Sequence, residues 1–213
     1  MLRYSEELRK LFNRSGAYPE DIEDAIDHGT VVANLAYMIS KELGFDEEFC
    51  SEMTKAGMLH DIGKLELGAY LYGRRKDSLK IEELKYTRMH PTLGYNMLKN
   101  GADCSDLVLE TVYHHHENYD GSGYPDNIAQ EDIPLGARIL RVCDVYSALV
   151  SERPYRAAFD QNTAIDLMID EVKNFDMKVF LAFMKVVHSD EYEELGKFIA
   201  EVNEKKKAAI QPA

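Results

Sequence analysis

Apolar residues along this chain recur at helical intervals and do not alternate as they would along a strand. Over 20–43, Ile22, Ala25, Val32, Leu35, Ile39 and Leu43 share one stripe, and Gly44 follows as a stop signal. Residues 46–60 read as a second helix opened by Asp46 as its cap. A loop rich in Gly, Tyr and Arg spans 65–77, and a short helix is expected over 78–86. Pro91 suits the first turn of a helix over 91–100, which Gly101 ends. The pattern predicts further helices over 103–118, 135–150, 160–173, 176–188 and 190–207. Between them, Tyr119 to Pro134 is a loop punctuated by Gly121, Gly123 and Pro125, and Pro154 breaks the pattern after 150. The expected class is all-α. One helical-bundle domain with additional C-terminal helices would occupy 20–207, preceded by a helical extension over 1–19 and followed by a flexible tail over 208–213.

A chain of 213 residues can bury one sizeable core. Its 38 Asp and Glu against 25 Lys and Arg give a net charge of −13. That balance argues against binding long nucleic acid or an anionic membrane. A small phosphate ester stays open as a ligand, because bound metal ions reverse the local sign of charge. The three cysteines, Cys50, Cys104 and Cys143, are odd in number and widely spaced, so neither a disulfide framework nor a thiolate zinc site is expected. The first residues contain no apolar signal region, and no apolar run reaches the roughly 20 residues of a membrane span. The expected compartment is the cytoplasm.

Six of the seven histidines lie between positions 28 and 116. Helical periodicity sets His28 with Val32, Leu35 and Ile39, and His60 with Phe49, Met53 and Ala56. His115 continues Val108 and Thr111 or Val112, and Asp144 falls between Leu140 and Ala148. Each polar group thus occupies the apolar stripe of its helix. Such burial is costly unless the groups are paired or bind metal. His and Asp without Cys suit Fe, Mn, Ni or Zn. Neighbours on a helix diverge by about 100°, so the adjacent His60 and Asp61 straddle two ions more readily than they chelate one, with Asp61 bridging. Asp24, one turn before His28, is a candidate for a further metal or for orienting His28. Lys64, one turn after His60, is placed for a phosphate oxygen.

His60-Asp61-Ile62-Gly63-Lys64 resembles the HD signature of the HD phosphohydrolases. His90-Pro91 follows, and then His115-His116-Glu117-Asn118-Tyr119-Asp120-Gly121-Ser122-Gly123-Tyr124-Pro125, which resembles the HHExxDGxGYP signature of the HD-GYP family. Arg141 to Leu149 and Arg153-Pro154-Tyr155-Arg156 resemble that family's downstream helix and RPYR element. The resemblance covers about residues 20–175 and implies an HD-type helical bundle. It implies two divalent ions, or three if Asp24 joins, with Fe or Mn first and Ni or Zn as alternatives. It implies the ligands His28, His60, Asp61, His90, His115, His116 and Asp144. It places Lys64, Arg153, Arg156 and Tyr124 at the substrate, and Gly123-Tyr124-Pro125 on a loop tied to substrate access and to a signalling-protein partner. The implied reaction is hydrolysis of a cyclic dinucleotide, cyclic di-GMP first, to a linear dinucleotide or GMP. A hydroxide held between two metals would attack phosphorus, with Asp61 and Lys64 as the catalytic side chains.

Several positions depart from that pattern. Asp24 stands where three-metal members carry Glu, and Ser147 where many have Asp. The stretch from Leu65 to Lys76 lacks the family's usual IPxxIL-like segment, and His114 is extra and expected outside the ligand set. Two rival functions remain: an HD-type phosphohydrolase acting on another nucleotide, and a non-catalytic cyclic-dinucleotide receptor or interaction module.

Overall fold

The structure, a computed structural model, describes residues 19–67, 85–153 and 156–210. Within them eight α-helices follow one another: α1 Pro19–Glu42, α2 Glu47–Leu59, α3 His90–Gly101, α4 Asp106–His114, α5 Leu135–Val150, α6 Gln161–Asp170, α7 Met177–Val187 and α8 Tyr192–Ile210. Short 3-10 turns occur at Ile62–Leu65, Gln130–Asp132 and Val172–Asn174. The described residues form no strand, and an isolated bridge pairs Arg153 with Arg156. The all-α class is the expected one. The extension over 1–19, the helix over 78–86 and the loop over 65–77 lie almost wholly outside the described residues.

The caps read from the sequence form as expected. Asp46 accepts from the Phe49 N–H at 2.9 Å, and Pro91 sits in the first turn of α3. The fourth helix is shorter than the 103–118 expected. The Ser105 hydroxyl accepts from the Val108 N–H at 3.3 Å and starts the helix there. At its other end the His115 ring bonds the Val112 carbonyl and α4 stops at His114. The last helix runs on through Ile210, past the expected boundary at 207.

Helix α1 is the spine of the bundle and packs on α2, α5, α7 and α8. Its Val32, Leu35 and Ile39 are fully buried in one apolar core with Met53 and Ala56 of α2, Val108 and Val112 of α4, and Leu140 of α5. α1 and α2 cross through small residues. A β-carbon at Gly57 would meet the Ala33 Cα at 2.7 Å and its nitrogen at 2.9 Å, so only glycine lets the backbones come this close. His28 lies just upstream of this crossing on α1 and His60 just beyond it on α2. The close approach brings their ring centroids to 5.2 Å. On the far side of α5, the Tyr146 and Tyr192 hydroxyls form a buried hydrogen bond of 2.6 Å. None of the described helices is long and apolar enough to cross a membrane.

Candidate metal centre

Five elements deliver ligand-type side chains to one point. α1 brings His28 and α5 brings Asp144. The end of α2 brings His60 and Asp61, the start of α3 His90, and the end of α4 His115 and His116. His28, His60 and His115 are buried, as their places on apolar stripes require, and His90 is buried with them. The donor atoms fall into two groups, Asp61 with His90, His115 and His116, and His28 with His60 and Asp144.

The two carboxylates join these groups. Asp61 Oδ1 lies 3.2 Å from His90 Nε2. Its Oδ2 lies 3.4 Å from His60 Nε2 and 3.9 Å from His28 Nε2. Asp144 Oδ1 lies 3.0 Å from His28 Nε2 and 3.7 Å from His60 Nε2, and its Oδ2 lies 3.9 Å from His116 Nδ1. Asp61 therefore straddles the two groups as its adjacency to His60 suggested. Asp144 does the same from the opposite helix, which nothing local in the sequence announced.

Backbone carbonyls select the histidine tautomers. His60 Nδ1 bonds the Gly57 carbonyl at 2.7 Å, His90 Nδ1 that of Thr87 at 2.6 Å, and His115 Nδ1 that of Val112 at 2.7 Å. A carbonyl only accepts, so each Nδ1 carries a proton and each ring turns its Nε2 inward, a bare electron-pair donor whenever the ring is neutral. His90 Nε2 and His115 Nε2 then face each other at 3.1 Å. Two lone pairs at that distance repel unless a cation or a shared proton lies between them. His60 Nε2 and Asp61 Oδ1 are buried with no hydrogen-bond partner. His28 is held from behind by the Ser147 hydroxyl, 2.9 Å from its Nδ1.

Electrostatics point the same way. Burial holds His115 well below the usual imidazole range and lowers His116 to about 3, so both stay neutral. Burial also disfavours the charged form of His28. At Asp61 burial opposes ionisation, but Lys64 and then His60 outweigh it and hold the carboxyl well below its ordinary value. At Asp144 the contacts to His28 and His60 do the same. His60 is the exception: burial disfavours its imidazolium, yet Asp61 and Asp144 overcome this and raise it to about 10. The site draws positive charge to the point between its two carboxylates. Unpartnered buried donor atoms, inward lone pairs and two anions fit a pair of divalent cations.

The remaining expected residues divide. Lys64 lies in the 3-10 turn after the HD pair, about one-third exposed, with its ammonium 2.5 Å from Asp61 Oδ2. Arg153 is close enough to His28 to disfavour its charging. The Tyr124 ring stacks on His116, with centroids 4.7 Å apart and planes 23° from parallel. Burial, with Asp144 and Asp61, keeps its phenol protonated. Arg156, expected at the substrate, is committed elsewhere. Its guanidinium donates to the carbonyls of Ala148 at 2.7 Å, Leu149 at 3.1 Å and Ala157 at 2.7 Å, and covers the Phe159 ring. It caps the C-terminal end of α5, where unpaired carbonyls attract a cation. Asp24, expected as a metal ligand, belongs to neither donor group and pairs with Lys206 of α8 at 3.0 Å. His114 is also outside both groups, but it is buried, with Nδ1 on the Glu110 carbonyl at 3.1 Å. Sequence reasoning assigned no role to Arg88, whose guanidinium lies 5.2 Å over the Tyr124 ring. A separate surface hollow of about 600 Å³, lined by Asp46, Glu52, Lys55 and Asp103 among others, shares no residue with the centre.

The family model described as HD domain matches residues 9–179. This chain belongs to the HD domain family. A cyclic di-GMP phosphodiesterase of Pseudomonas aeruginosa is 38% identical over 160 residues, 75% of this chain and 38% of that protein. The 3'3'-cGAMP-specific phosphodiesterase 1 of Vibrio cholerae is 32% identical over 171 residues, 79% of this chain and 39% of that protein. The chain thus spans less than half the length of these relatives. A solved HDG"Y"P protein of Bdellovibrio bacteriovorus superposes with a TM-score of 0.64 at 20% identity, covering 78% of this chain and 53% of that one, which shows a shared fold.

Proposed function

We propose that this chain is a metal-dependent phosphodiesterase that hydrolyses a cyclic dinucleotide, with cyclic di-GMP first and another cyclic dinucleotide such as cGAMP second. One observation carries the reading: two buried donor groups joined by both Asp61 and Asp144, on a fold of the HD family. His28, His60 and Asp144 would hold one ion, and Asp61, His90, His115 and His116 the other. Iron or manganese comes first, and nickel or zinc fits the same donors. Two ions are proposed and not three, because the carboxylate of Asp24 is engaged by Lys206. Bound there, the ions supply an activated water and positive charge beside the phosphoryl oxygens.

The chain's own residues do the rest. Carbonyl contacts behind His60, His90 and His115 keep each ring in one tautomer and one orientation. Lys64, at the exposed end of the Asp61 contact, and Arg153, whose charge reaches His28, present cations to the phosphate. Asp61 and Lys64 are the catalytic side chains, and the protonated Tyr124 phenol donates a hydrogen bond to the substrate. The Gly123-Tyr124-Pro125 loop is also the proposed docking element for a signalling-protein partner.

The test is turnover of cyclic di-GMP by the protein loaded anaerobically with Fe(II) or Mn(II), with metal counted in the same sample. Metal-dependent cleavage with about two ions per chain supports the reading. A fully metallated protein that leaves cyclic di-GMP intact but cleaves cGAMP moves the substrate assignment. No bound metal and no cleavage overturns the enzyme reading in favour of an interaction module.

A further inference from the structure

Glu117 follows the two adjacent histidines of the centre and has no part in the reading above. Its side chain is only 1% exposed. Oε1 accepts from the backbone N–H of Asp126 at 2.6 Å and of Asn127 at 3.0 Å. Oε2 is buried without a hydrogen-bond partner. Burying a carboxylate to serve two amides is costly in itself, and here it joins the start of the 117–127 segment to its end. Tyr124 lies between. Its N–H donates to the His116 carbonyl at 3.2 Å, and its ring rests on the His116 imidazole. The near half of the loop has its own ties: Asn118 to Ser122 at 2.9 Å, the Asp120 carboxylate to the Ser122 N–H at 3.0 Å, and Arg141 to Asn118 at 2.8 Å. Beyond Pro125 the Asn127 side chain donates to the Gly123 carbonyl and the Asp126 carboxylate meets the Tyr113 hydroxyl and His114, while Glu117 holds the two successive backbone amides at the end of the segment. The Asn127 backbone is in the left-handed region at φ 57°, so the chain turns sharply where Glu117 holds it.

We infer that Glu117 is a positioning residue: its buried carboxylate closes the 117–127 loop and thereby sets Tyr124 at the centre as the contact for a bound dinucleotide. This rests on the proposed function, in which Tyr124 touches substrate. Without the carboxylate, the Asp126 and Asn127 amides turn to water and the tyrosine loses its fixed place. Substrate binding then suffers while His90 at the start of α3 and the ligands just past the ends of α2 and α4 stay in position.

The experiment measures kcat, KM and metal content for the whole Mn(II)-loaded chain, using the cyclic dinucleotide that the wild type cleaves. Glu117→Gln keeps an acceptor oxygen and should stay within about twofold of wild type in KM. Glu117→Ala should raise KM on the order of tenfold with kcat within about twofold and metal content unchanged. Tyr124→Ala should give a similar KM, and adding Glu117→Ala to it should change nothing further. A merely structural glutamate would instead lower metal content and add its effect to that of Tyr124→Ala, and either result overturns the inference. Should Glu117→Ala fail to fold, Glu117→Asp, one methylene short of the amides, replaces it with the same expected split. A wild-type chain that neither binds nor cleaves any cyclic dinucleotide overturns the proposed function and this inference with it. Wild-type turnover with an unaltered KM in Glu117→Ala overturns the inference alone.

Discussion

Gly63, the fourth residue of the His60-to-Lys64 stretch, lies where the 3-10 turn presses on the first turn of α3. A β-carbon there would sit 2.0 Å from the His90 carbonyl oxygen, 2.5 Å from the Gly94 nitrogen and 2.9 Å from the His90 carbonyl carbon. All three are backbone atoms, so no side chain can swing aside. Relief requires α3 and the turn to separate by about 1 Å, and His90 rides on the part that must move. His90 Nε2 now lies 3.2 Å from Asp61 Oδ1 and 3.1 Å from His115 Nε2. Metal–ligand distances tolerate only about 0.2 Å, so Gly63→Ala should remove His90 from its donor group. The overpacking should destabilise the fold by about 3 kcal/mol, the upper end for a crowded core. For a chain of this length that is a fall in Tm of roughly 6–12 °C. Turnover should drop at least about a hundredfold, the usual effect of a 1 Å misplacement. Metal analysis, thermal unfolding and cyclic di-GMP turnover read the three effects separately. Gly101→Ala is the control, because a β-carbon there meets nothing within 4 Å, and it should match wild type or gain a few tenths of a kcal/mol. A Gly63→Ala protein with wild-type metal content and Tm would refute the reasoning.

Arg156→Ala should lower stability by about 1–3 kcal/mol through three uncapped carbonyls and lost packing on Phe159. KM should stay near wild type in steady-state assays, and a large KM increase with unchanged Tm would put Arg156 back at the substrate. Asp24→Ala should leave metal content at the wild-type value, since Asp24 is half exposed and paired with Lys206. Its stability cost should be below about 1 kcal/mol, as for other surface ion pairs. Loss of an ion from Asp24→Ala, measured by metal analysis, would show that the Lys206 pair gives way to a third site.

Local order along the chain determined much of this protein. A period of 3.6 residues is a property of each segment alone, so the α-helices over Pro19–Glu42, Glu47–Leu59 and Leu135–Val150 emerge close to where the apolar stripes place them. The same periodicity marked His28, His60, His115 and Asp144 as polar groups on buried faces, and adjacency alone implied that Asp61 would straddle two groups. Other assignments depended on what each side chain meets across the bundle. Asp144 becomes a second bridge only because α5 packs on α1 and α4. Arg156 is an arginine in an expected position whose donors are captured by the carbonyls of Ala148 and Leu149, and Asp24 is captured by a lysine 182 positions away. Glu117 was visible as a motif letter, but its hold on the amides of Asp126 and Asn127 required the loop to close. Helix and stripe follow from short-range sterics and burial, whereas the partner of a charged or hydrogen-bonding group is set by whichever distant segment folds against it.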